Sequence, residues 1–375
     1  MQGRLAIVKP KTKSAVIITV LLLAFLALGT LVKMPVAAMG PGPTFNTLGY
    51  IRVPSNPREG GGSTSSTSAA GGKGKLVPVI DITGAPLDQV DGHLNMTTVN
   101  VLSGMNFFEM VRIGLHKEWN LVPLSAIYPP GVSQEQVQQE QAAEMTQSEN
   151  AAATAALHYL HLPVSTYVGG VVKKGPAVGK LQAGDQIVAV NGKVTTLATD
   201  VHAALRGTTA GQTVQVSVLR HGQPLTFPIT LMSGAPDVVD RGLLGVGIYS
   251  APSGKVQVHI NLADVGGPSA GLIFTLAIID KLSPGSLTGG KFIAGTGTMD
   301  YDGTVGPIGG ITHKLAGARA AGARYFLVPA QNCREALTDV PKGLTLIRVT
   351  NLQSALDALA LVRAGKPAPS CQASQ

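Results

Sequence analysis

The sequence predicts an α+β multidomain protein with an N-terminal transmembrane helix, a β-rich domain and an α/β domain. Three observations support this prediction: one long apolar run near the start, a group of short strand-like runs in the middle, and alternating strand-like and helix-like runs after them. The 375 residues are enough for two or three domains, at roughly 150 residues each.

The composition excludes several classes of protein. Hydrophobic residues make up 45% and charged residues 13% of the chain, whereas a disordered chain has low hydrophobicity and high charge. The net charge of +8 does not predict nucleic-acid binding, because few aromatic residues are present to stack on bases. The two cysteines, Cys333 and Cys371, exclude a Cys-rich zinc module. A disulfide between them and two free thiols both remain open.

The first apolar run predicts a membrane anchor. Ser14–Val32 contains 19 uncharged residues, close to the ~20 that a helix needs to cross a bilayer. We therefore predict a cytoplasmic basic N-terminus at 1–13, a transmembrane anchor at 14–34 and an extracytoplasmic remainder, so that the cytoplasmic membrane is a partner and the protein is a single-pass cell-membrane protein. The alternative is a cleaved signal peptide, since Val36-Ala37-Ala38 offers small residues for cleavage.

Composition and periodicity divide the rest of the chain. A Gly/Ser-rich linker or loop is predicted over 40–75, and an α/β region without an assigned role over 76–161. A β-rich domain follows at 162–233 and an α/β domain at 241–363. A polar tail at 364–375 ends the chain.

The β-rich domain carries a recognisable motif. Gly175–Lys193 reads GPAVGKLQAGDQIVAVNGK, in which a small-residue turn and a Gly-Asp step precede a strand that ends in Asn-Gly. This segment resembles bacterial PDZ domains, which bind an extended peptide as an added strand. The resemblance places the loop that binds the peptide carboxylate near Tyr167, Val168, Gly169 and Gly170. The alternative is a β-domain that only packs against its neighbours.

A candidate nucleophile lies in the α/β domain. Val265–Leu282 reads VGGPSAGLIFTLAIIDKL, which places Ser269 at the start of an apolar helix. Unpaired backbone N–H groups at such a helix start, here those of Gly267 and Ala270, can hold a developing oxyanion. The alternative for Ser269 is an ordinary N-cap.

A candidate base follows 45 residues later. Val305–Gly322 reads VGPIGGITHKLAGARAAG, and Lys314 falls in the first turn of a predicted helix. The positive helix dipole and partial burial both favour a neutral amine there, and a neutral amine can take a proton from a serine. The alternatives are a solvated Lys314, or a hydrolase that uses His313 as its base.

Together the two segments resemble the proteolytic domain of Lon-type endopeptidases. GPSAG at Gly267–Gly271 and PIGG-x-x-x-KL at Pro307–Leu315 carry the resemblance. It implies that Ser269 is the nucleophile and Lys314 the general base, with Thr296 orienting the lysine. Lon-like domains form rings, so a homo-oligomer is also implied.

The domain order resembles the membrane-anchored, ATP-independent bacterial proteases of the PDZ–Lon type. The resemblance implies a serine endopeptidase that cleaves extracytoplasmic peptides or unfolded proteins and recognises them through the PDZ-like domain. ATP binding is not predicted, because Phe292 follows the P-loop-like Gly285–Lys291 where a P-loop needs Ser or Thr. No cofactor and no metal are predicted. The alternative function is an inactive, membrane-tethered scaffold that binds peptides.

Overall fold

The computed structural model describes residues 11–53, 74–234, 240–262 and 266–372, with side chains from Val16 onward. The helices are α1 (Lys11–Leu31), α2 (Phe107–Gly114), α3 (Gln134–Tyr159), α4 (Ala198–Leu205), α5 (Gly271–Leu282), α6 (Ile311–Ala320), α7 (Cys333–Ala336) and α8 (Leu352–Arg363). The strands are β1 (Val36–Asn46), β2 (Tyr50–Val53), β3 (Lys75–Pro78), β4 (Ile80–Thr83), β5 (His93–Leu102), β6 (Asn120–Pro123), β7 (Val164–Val171), β8 (Gln186–Val190), β9 (Lys193–Val194), β10 (Thr213–Arg220), β11 (Gln223–Thr230), β12 (Val246–Pro252), β13 (Gln257–Ile260), β14 (Phe292–Gly295), β15 (Thr298–Met299), β16 (Val305–Gly306), β17 (Tyr325–Pro329) and β18 (Thr345–Val349).

The chain divides into two compact units. One unit comprises 1–42 and 99–137, and the other comprises 43–98 and 138–375. In the first unit, the start of β1 pairs antiparallel with β6. Phe25 of α1 makes edge-to-face contacts with Phe107 and Phe108 at centroid distances of 5.7 and 5.8 Å. Edge-to-face contact is a favourable geometry for two aromatic rings, and it holds α1 against α2.

The predicted transmembrane anchor is wrong. Among the described residues, no helix is long and apolar enough to cross a membrane. This finding contradicts the membrane-spanning helix in the predicted fold class and the single-pass cell-membrane localisation. Residues 1–10 of the predicted basic N-terminus and 54–73 of the predicted linker lie outside the described residues.

The larger unit contains an α/β domain built on a mostly parallel sheet. Strands β18, β17, β14 and β5 pair in that order, each parallel to the next. Helix α5 lies in the core of this domain, because its sequence GLIFTLAIIDKL is apolar on all sides and every residue from Gly271 to Lys281 is buried. A helix that is hydrophobic all round must be enclosed by other elements. The residue at its N-terminal end is therefore held rigidly.

The same unit contains a second sheet, with strand order β11-β10-β8-β7-β12 and β9 beside β8. Its core includes a buried ion pair, in which Asp185 accepts hydrogen bonds from the Arg220 guanidinium at 2.7 and 2.8 Å. These bonds lower the pKa of Asp185 and keep it ionised although it is buried. Asp185 also accepts from the Gln182 N–H, which closes the turn before β8. The aspartate of the Gly-Asp step in the sequence motif thus stabilises the fold of this domain.

Strand β12 belongs to this second sheet. It pairs antiparallel with β7, with Val246 opposite Val171 and Pro252 opposite Val164. The predicted α/β domain at 241–363 includes this strand. In the structure the strand lies at the edge of the β-rich sheet.

The two cysteines form a disulfide. Cys333 and Cys371 are 38 residues apart and their Cα atoms are 5.2 Å apart. The bond ties the C-terminal tail to the start of α7, and both cysteines belong to the apolar cluster under α6. The predicted polar tail is therefore attached to the α/β domain at this point.

Candidate active site

Ser269 lies immediately before the buried helix α5. Gly267 has a φ of +85°, a left-handed conformation that favours glycine, and it turns the chain into the helix. Ala270 is the N-cap residue, and no side chain caps the helix start. Ser269 is therefore not the N-cap that the sequence left open.

Lys314 comes from the first turn of α6. The helix begins after Gly310, whose φ is +68°, and the Lys314 N–H donates to the Gly310 carbonyl at 3.2 Å. The Lys314 side chain is buried, with 3% of its surface exposed. The alternative of a solvated lysine does not hold, because the amine points into the domain and not into water.

The Lys314 amine has three hydrogen-bond partners. Its Nζ lies 2.8 Å from Ser269 Oγ, 3.0 Å from the Thr97 carbonyl oxygen and 3.2 Å from Thr296 Oγ1. Thr296 Oγ1 also donates to the Ser269 carbonyl oxygen at 2.9 Å. A neutral amine fits this arrangement, since its two N–H groups can donate to Thr97 and Thr296 while its lone pair accepts the Ser269 hydroxyl.

Burial lowers the pKa of Lys314 to about 8. The charged ammonium is disfavoured because the folded domain replaces its hydration, and three neutral partners do not compensate fully. A substantial fraction of this lysine is therefore neutral near pH 8, whereas an exposed lysine is almost entirely protonated there.

His313 does not share the position of Lys314. The two residues are adjacent on α6, so their side chains leave the helix about 100° apart. His313 is buried as well, with 6% of its surface exposed. Ser269 Oγ meets the lysine amine, which favours lysine over histidine as the base.

The two candidate oxyanion donors differ. The Gly267 N–H donates to the Gln141 carbonyl at 3.2 Å and is therefore engaged. Within the described residues, no acceptor is found for the Ala270 N–H at the start of α5. Ala270 is the better placed of the two, because its N–H belongs to the unpaired group at a helix N-terminus.

Ser269 opens onto a cleft of about 320 Å³. The lining residues are Pro268, Ser269, Thr298, Pro307, Ile308 and Gly309. The Asn332 side chain fixes one side of the cleft, because it accepts from the Ile308 N–H and donates to the Ile308 carbonyl at 2.9 and 2.8 Å. Small and imino residues on both sides leave the backbone accessible to an extended chain.

Residues 246–362 match the Lon protease (S16) C-terminal proteolytic domain. Residues 136–231 match the PDZ domain model. The prediction of a hydrolase of the serine-protease type is thereby confirmed at the level of the Lon-type domain. Ser269, Thr296 and Lys314 all fall inside the Lon match.

The relatives are Lon proteases. Lon protease 2 of Sorangium cellulosum is 34% identical over 113 residues, which cover 29% of this chain and 14% of that protein. The Lon protease of Frankia alni is 34% identical over 149 residues, covering 38% and 14%. The chain thus spans about a seventh of the length of these relatives. A solved PDZ domain of an SdrC-like protein from Listeria monocytogenes is 20% identical, with a TM-score of 0.21, over 22% of this chain and 86% of that chain.

The structure places the four predicted peptide-binding residues in strand β7 and not in a loop. Tyr167 is opposite Tyr249 of β12 on one side and Gln186 of β8 on the other. Val168 is buried, and its N–H donates to the Asp185 carbonyl. Gly169 and Gly170 follow in the same strand. Strand β7 pairs with β12 along its whole length, whereas its ladder with β8 covers Thr166 and Tyr167.

One hydrogen-bond partner of Lys314 is not predicted from the sequence. Thr97 of β5 supplies a carbonyl to the lysine, although 76–161 was given no role. A backbone carbonyl has no signature in a sequence, because every residue carries one. Only the parallel pairing of β5 with β14, the strand that precedes Thr296, brings it to the site.

Proposed function

We propose that this protein is a serine endopeptidase that cleaves peptides or unfolded proteins without ATP, with Ser269 as nucleophile and Lys314 as general base. The observation that carries the proposal is the 2.8 Å contact between Ser269 Oγ and a buried lysine amine. The lowered pKa of that amine makes it a base near neutral pH. ATP independence rests on Phe292, which begins β14 where a P-loop would need a hydroxyl for Mg²⁺.

The reaction proceeds through an acyl-enzyme. The neutral Lys314 amine takes the Ser269 proton as Oγ attacks the scissile carbonyl carbon, and the Ala270 N–H donates to the oxyanion. The Lys314 ammonium then gives its proton to the leaving amine, so the peptide bond breaks and an ester forms on Ser269. Lys314 next takes a proton from water as the water attacks the ester, and it returns this proton to Ser269 Oγ when the acid leaves.

In this proposal Thr296 is a positioning residue. It accepts from the lysine and donates to the Ser269 carbonyl, so it fixes both dyad residues relative to each other. We expect Thr296→Val to lower kcat about 10- to 100-fold with little change in KM. The substitution removes a group that orients the lysine, whereas the contacts that bind the substrate remain. Thr296→Ser should restore most of the activity. Steady-state kinetics on an unfolded protein would measure both, and a loss confined to KM would contradict the assignment.

The PDZ domain is proposed to recognise the substrate by strand addition. Strand β12 is at the edge of the PDZ sheet, and α4 lies beside it, where the Ala198 N–H donates to Ser250 Oγ at 2.8 Å. The Ser250 carbonyl is covered by side chains of α3. The edge over 246–249 is therefore the segment that we propose for an extended peptide, which would bind there through backbone hydrogen bonds.

Proteolysis in the absence of ATP tests the proposal. The full chain is incubated with an unfolded protein beside the Ser269→Ala variant, and the products are read by mass spectrometry. We expect cleavage by the parent alone, with both proteins giving the same melting temperature. Cleavage that survives in Ser269→Ala would contradict the dyad. No cleavage by the parent, together with retained peptide binding, would indicate the inactive scaffold instead.

A further inference from the structure

A second cavity of about 220 Å³ adjoins the cleft of Ser269. Two residues line both cavities: Pro268, which precedes Ser269, and Thr298, which begins β15. The other lining residues are Glu144, Gln147, Ser148, Ala151, Met299 and Tyr301. Four of these six come from α3, a helix that the dyad does not use.

Helix α3 is fastened to the segment that carries the nucleophile. Ser148 Oγ donates to the Pro268 carbonyl at 3.0 Å, and the Gln141 carbonyl accepts from the Gly267 N–H at 3.2 Å. Tyr301 has a side-chain hydrogen bond with Asn150, which is also a residue of α3. The cavity therefore has a fixed position relative to Ser269 Oγ, as a specificity subsite requires.

The chemistry of the lining selects one kind of side chain. Ala151, Met299 and Pro268 provide apolar surface, and Glu144 is the one charged residue among the described residues that line the cavity. Glu144 is exposed, so its carboxylate lies where the cavity meets solvent. Asp300, next to Met299 and Tyr301, is a second carboxyl group in this neighbourhood. Burial raises the pKa of Tyr301, and the charge of Asp300 raises it further.

We propose that this cavity binds a lysine or arginine side chain of the substrate, within two residues of the scissile bond. The apolar stem packs on Ala151 and Met299 while the cation reaches Glu144 and stays hydrated, the usual arrangement for a long basic side chain. The subsite rests on the proposed endopeptidase function, because it has meaning only beside a working dyad. It assigns to α3 a role in choosing the cleavage site.

A peptide series tests the subsite. A site cleaved by the full chain in an unfolded protein is first mapped, and peptides around it are made with Lys, Arg, norleucine, Ala or Glu at each position within two residues of the bond. We expect kcat/KM for Lys and Arg to exceed norleucine by about 5-fold at one position, as suits an exposed ion pair. Glu144→Gln should abolish the difference, and Glu144→Lys should favour the Glu peptide.

Two further variants complete the test. Glu140→Lys makes the same charge change one turn earlier on α3, outside the lining, and should leave the preference unchanged. Ala151→Phe fills the cavity and should reduce cleavage of the Lys and norleucine peptides while the Ala peptide is still cut. Equal rates for Lys and norleucine, with cleavage still dependent on Ser269, would overturn the subsite alone. An inactive parent would overturn the subsite together with the proposed function.

Discussion

Replacing Lys314 by methionine is expected to lower kcat/KM for an unfolded protein by about 10³-fold or more. The methionine side chain has a similar length but no lone pair that can accept the Ser269 proton, so the hydroxyl remains a weak nucleophile. The fold should persist. Burial lowers the pKa of Lys314 from its ordinary 10.5 to about 8. The buried ammonium therefore reduces the free energy of unfolding by about 3 kcal/mol at neutral pH. Lys314→Met removes this cost, although the Thr97 carbonyl loses its donor.

Lys281 offers a matched control for this experiment. It is also a buried lysine whose pKa is lowered by burial, and it lies at the opposite end of α5 from Ser269. Lys281→Met should leave kcat/KM within about 2-fold of the parent, whatever it does to stability. The substitution lies at the far end of α5 from Ser269, and distant sites act independently. Lys314→Met with more than a tenth of the parent activity would show that another group is the base.

The pH dependence of kcat/KM should follow the ionisation of Lys314. Because the base must be neutral, kcat/KM should rise about 10-fold per pH unit below pH 8 and level off above it, the pKa of Lys314 being about 8. The sign is opposite to that of a mechanism needing a protonated lysine. Initial rates between pH 5.5 and 10 on a peptide without titratable groups would measure the midpoint.

Glu149 provides the control for the pH profile. Burial raises its pKa to about 7, so its ionisation falls on the rising limb of the expected curve. In the Glu149→Gln variant the midpoint should stay at about 8. A midpoint near 7 that disappears in this variant would assign the pH dependence to the carboxyl group and not to the base.

Ser269 and Lys314 could be predicted from the sequence, but not every group that contacts them. Small residues before an apolar run predicted Ser269 at the start of α5, and a Gly-Pro turn predicted Lys314 in the first turn of α6, because such local signals fix helix starts. Their meeting was implied by the resemblance to Lon domains, and the contact of 2.8 Å agrees with it. The Thr97 carbonyl could not be predicted, since it reaches the lysine through parallel pairing of distant strands.

The PDZ sheet shows the same limit. Its motif at Gly175–Lys193 and the turn at Asn191-Gly192 are local, and the short strands that they predicted are present. Strand β12 follows the domain after a break in the pattern, and its sequence does not say which sheet it joins. The pairing with β7 decides this, and it moves the open edge away from Tyr167–Gly170.

Covalent labelling of Ser269 tests the central claim most directly. The full chain is treated with a fluorophosphonate, which forms a stable bond with an activated serine oxygen, and the modified residue is located by peptide mass spectrometry. We predict one adduct, on Ser269, that is lost in Lys314→Met and retained in Lys281→Met, with proteolysis falling in step with labelling. Continued proteolysis with Ser269 unmodified, or equal labelling in Lys314→Met, would contradict a Ser269–Lys314 dyad.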